Sequence, residues 1–159
     1  IGAINGPAVT GGFELALACD FLYAAEGARF ADTHARVGLL PGWGLSQKLG
    51  RLIGINRARE VSLTGNFIDA DTAMTWGLVN KVCSPETLIE NSLAAAQQIA
   101  ESNPQTISAM RSLMNDGDLL SLGEALELEG ARGIAYLEQA DFSQMENRLQ
   151  ALKSRSKKS

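Results

Sequence analysis

The stretch Asn5–Asp20, "NGPAVTGGFELALACD", decides how the rest of the chain is read. A proline, a threonine and two adjacent glycines stand directly before Glu14, and an apolar run, Leu15 to Cys19, follows. Ahead of it, "IGAING" reads as a short buried strand ending at Gly6-Pro7. Gly11 and Gly12 then open a helix carrying Leu15, Ala16, Ala18 and Cys19. The first N–H groups of a helix have no partner within it and lie at the positive end of its dipole. Glycines there let a ligand approach the backbone closely, so Gly11 and Gly12 form a candidate anion or oxyanion site. Glu14 falls in the first turn, beside that site. It reads either as a base for water or a carbon acid, or as a first-turn acid that stabilises the helix by about 0.3–1 kcal/mol.

Outward from this stretch, strand and helix signals alternate. "DFLYAAE" reads as the next strand, with Gly27 as its turn. "ARFADTHARVGLLPGWG" is loop-like, with a short strand near Arg29 to Ala31 and a break at Pro41-Gly42. "LSQKLGRLIG" is an amphipathic helix closed by Gly54. "NRAREVSLTG" repeats that logic, with Asn56 as candidate N-cap and Gly65 as C-cap. "DADTAMTWG" is a further short helix, and "LVNKVC" is a strand.

From Ser84 the character changes. Ser84-Pro85 reads as an N-cap followed by proline at the first helical position. Leu88, Ile89, Leu93, Ala96, Ile99 and Ala100 then share one face. Asn103-Pro104 restarts the pattern, a third helix begins near Ser121, and a fourth follows Asp141. The expected division is therefore 1–83, an α/β layer, and 84–159, a helical region whose apolar faces exceed its own core. No fixed-period repeat is visible.

Composition bounds the function. The 159 residues are 45% hydrophobic and 20% charged, which is ordinary globular usage. A net charge of −4 argues against a general nucleic-acid binder. The one basic concentration is the tail "KSRSKKS" from Lys153, read as a solvated terminus or a contact for an anionic ligand. Cys19 and Cys83 have no metal or redox spacing and read as reduced thiols, which points to the cytoplasm. No apolar run reaches the about 18 residues of a spanning helix, and no signal-peptide pattern shows. The chain opens on Ile1 inside a strand signal, which reads as a piece of a longer protein. No Gly-x-Ser-x-Gly elbow, no Walker loop and no metal cluster appears.

Taken together, "IGAINGPAVTGGFELALACDFLYAAEGARFA", "VGLLPGWGLSQKLGRLIG" and "LTGNFIDADTAMTWGLVNKV" resemble, in order, the enoyl-CoA hydratase/isomerase (crotonase) superfamily. The resemblance covers essentially the whole chain but only the later part of a family member. It implies an α/β fold, a spiral of ββα turns whose N-terminal part is missing, followed by a C-terminal helical region that makes trimers, often paired into hexamers. It implies an acyl-CoA thioester substrate, with CoA arriving as part of it, and no metal or redox cofactor. By position, Gly11 resembles the donor of one oxyanion-hole N–H, and Glu14 the glutamate that handles water.

One position departs from the pattern. The family's hydratases carry a second glutamate twenty positions after the first, and here residue 34 is His34, the only histidine in the chain. A histidine titrates near neutral pH and can transfer a proton. It can equally be a loop residue held by structural hydrogen bonds. Asp32 stands two residues earlier as a possible carboxylate partner. Gly12, Pro41, Gly42 and Trp43 are candidate substrate-binding residues, Trp43 reading either as pocket wall or as packing. Trp76 reads as core, and Gly38 and Gly42 as tight-turn glycines. Lys153, Arg155, Lys157 and Lys158 resemble the basic end that in some members reaches the CoA phosphates. The expected activity is hydration of a 2-enoyl-CoA. The alternatives are double-bond isomerisation or another enolate reaction with Glu14 as sole base, and a non-catalytic acyl-CoA-binding or oligomerisation fragment.

Overall fold

The computed structural model describes residues 1–143 and 145–155, with the backbone alone at Ala151, Leu152, Ser154 and Arg155. Along the chain run β1 (Gly2–Ile4), β2 (Pro7–Val9), α1 (Gly11–Leu17), β3 (Leu22–Ala25), β4 (Arg29–Ala31) and a 3-10 turn (Ala35–Val37). Then come α2 (Leu45–Ile53), α3 (Ile55–Thr64), β5 (Ile68–Asp69), α4 (Ala70–Thr75) and β6 (Lys81–Cys83). Four helices follow: α5 (Leu88–Ala100), α6 (Pro104–Gly117), α7 (Leu122–Gln139) and α8 (Met145–Arg155).

The opening segment holds two strands where the sequence reads as one, because Pro7 begins a second strand, a position that proline tolerates. Two three-stranded sheets result, ordered β1-β3-β6 and β2-β4-β5. Gly2 pairs with Leu22 and Tyr23 with Lys81 in the first, both parallel. Pro7 pairs with Arg29 in parallel in the second, where β5 closes the edge antiparallel to β4. Parallel neighbours need a crossover between them. The chain therefore lays one strand in each sheet and returns through a helix: β1–β2–α1, then β3–β4–α2. This is the ββα spiral that the resemblance implies. Its repeat is one of pleat and burial, not of residue identity, so no sequence period announces it.

Burial fixes the helices on these sheets. Phe13 of α1 and Phe30 of β4 are fully buried, with ring centroids 5.4 Å apart and tilted by 51°. Leu45, Leu49 and Ile53, one turn apart along α2, are buried in the same cluster. Burying each such side chain contributes about 1.5–3 kcal/mol. Trp76 packs against this core, as expected, with the Arg57 guanidinium 5.1 Å from its ring.

The chain divides into compact units Ile1–Glu101 and Ser102–Ser159. The division expected at Ser84 comes too early, because α5 contacts β1, β3 and β6, and Leu88 is buried with Ala25 and Cys83. Ser84 does not cap that helix; its carbonyl accepts from the Thr87 and Leu88 N–H groups in a turn, and α5 starts at Leu88. Asn56 likewise lies inside α3, which Gly54 precedes. Asn103 does cap α6, accepting from the Gln105 and Thr106 N–H groups, and Ser121 forms a capping box with Glu124 on α7.

In the second unit α6 packs against α7. The Thr106 and Tyr136 hydroxyls lie 2.6 Å apart, and Arg132 Nη1 donates to Asp116 Oδ2 at 2.6 Å. Met110, Leu113, Arg132 and Tyr136 help line a groove of about 510 Å³ between these helices. Among the described residues no helix is long and apolar enough to cross a membrane.

Candidate active site

The site begins at a strained residue. Thr10, just before α1, has φ 53° and ψ −113° and is the only non-glycine residue of positive φ among those described. Such a conformation costs on the order of 1–3 kcal/mol and persists only where its surroundings hold it. Here the Thr10 N–H donates to the Ala31 carbonyl at 3.0 Å, and the Thr10 carbonyl accepts the Glu14 N–H at 3.0 Å. The chain thereby turns sharply from β2 into α1. The Gly11 N–H, at the first helical position, has no acceptor among the described residues. A Cβ on Gly11 would stand 3.4 Å from Cζ3 of Trp43, so the indole covers that glycine. Space beside Gly12 is open.

Glu14 points inward. It is 3% exposed, and its Oε1 accepts the Trp43 N–H at 2.7 Å. Its Oε2 faces His34 Nε2 at 3.6 Å. His34 is 6% and Asp32 2% exposed. One oxygen of Asp32 accepts twice from His34: from its backbone N–H at 3.2 Å and from Nδ1–H at 2.7 Å. That pairing assigns the Nδ1 proton and turns Nε2 toward Glu14. Glu14 lies in the first turn of α1, as both expectations have it, and its carboxylate is buried and faces a neighbour rather than solvent.

The wall of the site is the segment from Ala35 to Gly44. Positive φ values of 73° at Gly38 and 105° at Gly44 bend it back over α1. Gly42, expected to serve a tight turn, is not among the positive-φ glycines. It contributes the peptide bond whose N–H, belonging to Trp43, holds Glu14. Pro41 is half-buried beside it. Val37, Leu39, Leu40 and Trp43 are exposed along this segment, giving the rim an apolar character. No buried side-chain N or O among the described residues lacks a partner. No group of three or more His, Cys, Asp or Glu among the described residues is placed to hold a metal.

The arrangement can accept a proton from water at Glu14 and exchange one at His34, beside an amide able to receive negative charge on oxygen. The enoyl-CoA hydratase/isomerase family model matches residues 1–153. The chain belongs to the enoyl-CoA hydratase/isomerase family. It is 52% identical over 136 residues to the Arabidopsis thaliana protein named "Probable enoyl-CoA hydratase 1, peroxisomal", covering 86% of this chain and 51% of that one. An enoyl-CoA hydratase structure from Geobacillus kaustophilus HTA426 superposes with a TM-score of 0.85 at 36% identity, over 96% of this chain and 58% of that one. A Thermobifida fusca YX protein solved in complex with acetoacetyl-CoA superposes with a TM-score of 0.80 at 28% identity, over 85% and 53%. The chain spans about half the length of the curated relatives it matches.

Within this enoyl-CoA hydratase/isomerase family chain, Gly11, Glu14, Asp32, His34 and Trp43 come together, with Gly12 adjoining. Two parts of the site are invisible in the sequence. The Trp43 N–H that orients Glu14 is a backbone donor, which no residue type advertises. The strain at Thr10 falls on a β-branched residue, where sequence rules expect none. Of the basic tail, Lys153 is exposed on α8; the Arg155 side chain, Lys157 and Lys158 lie outside the described residues.

Proposed function

We propose that the protein carrying this chain hydrates 2-enoyl-CoA thioesters. The observation that carries the reading is the buried Glu14 carboxylate, held by the Trp43 N–H and lying three residues beyond the unpartnered Gly11 N–H. Relatives named as hydratases and the acetoacetyl-CoA complex of a relative support the substrate class.

In this mechanism the Gly11 N–H polarises the thioester carbonyl. Glu14 takes a proton from water as its oxygen bonds to the substrate's β-carbon. The double-bond electrons move toward the carbonyl, and the resulting enolate oxygen is stabilised by the amide. His34, carrying protons on both ring nitrogens, delivers the Nε2 proton to the α-carbon, while its Nδ1–H stays on Asp32. The proton gained by Glu14 then returns to His34 across the gap that separates them, now 3.6 Å. Asp32 orients the imidazole throughout. Gly12, Pro41, Gly42 and Trp43 border the acyl portion. The steps need no cofactor beyond the CoA carried by the substrate.

The test is Glu14→Gln in the complete protein. The expected outcome is a fall of about 10²–10⁴-fold in kcat for crotonyl-CoA hydration, and undiminished hydration would overturn the reading. The presence of one glutamate where two are expected favours a second reading, migration of a double bond with Glu14 as sole base. A 3-enoyl-CoA turned over faster than crotonyl-CoA is hydrated would select it. CoA-thioester binding without turnover of either would select a non-catalytic role.

The assembly we propose is a homotrimer or a pair of trimers. Exposed Met114, Leu122, Leu126, Ile134 and Leu137 support it, since apolar surface of this extent marks an interface. A monomeric mass by light scattering would refute it. The unpaired thiols of Cys19 and Cys83 support a reducing, cytoplasmic location, and the acidic balance supports a protein that does not bind nucleic acid.

A further inference from the structure

The backbone strain at Thr10 sits one peptide bond from the amide that the hydratase reading places on the thioester oxygen. The torsion ψ of Thr10 rotates the Thr10–Gly11 peptide plane, so it sets the direction of the Gly11 N–H. That plane is held from one side by the Glu14 N–H, which donates to the Thr10 carbonyl at 3.0 Å. The residue itself is held by its N–H on the Ala31 carbonyl at 3.0 Å. Both are main-chain bonds that other residues could make. The third tie is a side-chain one: the Thr10 and Thr33 hydroxyl oxygens lie 2.5 Å apart and are partly buried.

Thr33 is flanked by the buried Asp32 and His34. Its carbonyl accepts the Arg36 and Val37 N–H groups, starting the 3-10 turn that follows His34. The hydroxyl pair therefore joins the turn that aims Gly11 to the segment that carries the Asp32–His34 pair. We propose that Thr10 and Thr33 form a positioning latch, which keeps the Gly11 amide and the His34 imidazole aligned on the same substrate without either hydroxyl touching it. The proposal rests on the hydratase reading above.

The experiment compares Thr33→Val, Thr33→Ser and Glu14→Gln in the complete protein, by crotonyl-CoA kinetics and by the infrared carbonyl stretch of the bound thioester. Thr33→Val keeps the shape and removes the hydroxyl. It is expected to lower kcat by about 10- to 100-fold, in line with a misaligned amide, with KM changed less than about threefold. Its bound carbonyl stretch should move back toward that of the free thioester, which a loss of stability alone would not produce. Thr33→Ser should retain kcat and the carbonyl shift of the parent. A Thr33→Val protein with the parent's kcat and carbonyl shift, or a Thr33→Ser protein as impaired as Thr33→Val, overturns the latch. If Glu14→Gln abolishes hydration in the same series, the hydratase reading stands while the latch falls. A parent that does not hydrate crotonyl-CoA, or a Glu14→Gln protein that still does, overturns both. If Thr33→Val does not fold, Thr10→Gly replaces it. Glycine adopts the positive φ without strain and removes the same bond, and the same two results decide.

Discussion

In Ile1–Glu101 the side chains Glu14, Asp32 and His34 are buried and apolar residues fill the interior around them. In α6 and α7 the contrast is complete: no residue is buried, and Met114, Leu122, Leu126 and Leu137 are exposed. A charged group taken from water costs several kcal/mol unless hydrogen bonds replace the lost solvent. The first unit meets that cost with the Trp43 N–H and the paired bonds from His34 to Asp32. Retaining such groups when an apolar core would be cheaper to build marks a site. In the second unit α6 and α7 bury no side chain fully and leave apolar surface exposed, the kind of surface on which the proposed assembly rests.

The sharpest way to break this comparison is to remove packing from each unit. Phe13→Ala should destabilise the protein by about 3–5 kcal/mol, read by denaturant unfolding of the complete protein. Leu126→Ala, on the face proposed to join copies, should cost stability that grows on dilution, whereas under about 0.5 kcal/mol at every concentration would mean that the face is free in solution. Equal, concentration-independent losses for the two variants would abolish the distinction.

Next in size is Asp32→Ala, which leaves the His34 N–H and Nδ1–H without an acceptor. Each orphaned donor should cost about 1–3 kcal/mol, and hydration should slow as the imidazole loses its orientation. A stable Asp32→Ala protein of full activity would mean that the buried carboxylate is unnecessary. Asn103→Ala removes the α6 cap and should cost about 1 kcal/mol in thermal unfolding, with kcat unchanged.

The smallest effect concerns Asp116. Its hydrogen bond from Arg132 holds the carboxyl below the usual carboxylate range. A carboxyl whose folded value is depressed adds stability above its unfolded value and loses it as pH falls through the folded one. The Tm difference between the parent and Asp116→Asn should therefore be positive at neutral pH and shrink toward zero in acid. A difference that does not change with pH would show that this exposed pair contributes no charge-dependent stability.

Much of this was open to inspection along the chain. The Asn103-Pro104 start, the helix start near Ser121, the four-residue spacing of Leu45, Leu49 and Ile53, and the closing Gly54 and Gly65 each lie in or next to the helix they define. That Gly11, Glu14 and His34 stand near one another was expected from the family pattern, and the structure brings them together. Ser84-Pro85 misled because a helix-start signal describes only local preference, and burial of Leu88 against Ala25 and Cys83 moved the start onward. β2 escaped notice because Gly6-Pro7 reads locally as the end of a strand, whereas pairing with β4, about twenty positions away, makes Pro7 the start of one.

By itself, then, the order of residues determined where most helices begin and end and which residue types stand at the site, since those signals act over one or two turns of chain. Only the folded chain decided that residues 10, 14, 32 to 34 and 43 meet. Parallel pairing of β2 with β4 brings their ends together, and apart from the Thr33 hydroxyl on Thr10 the atoms that then hold Glu14 and Thr10 are main-chain amides and carbonyls common to every residue.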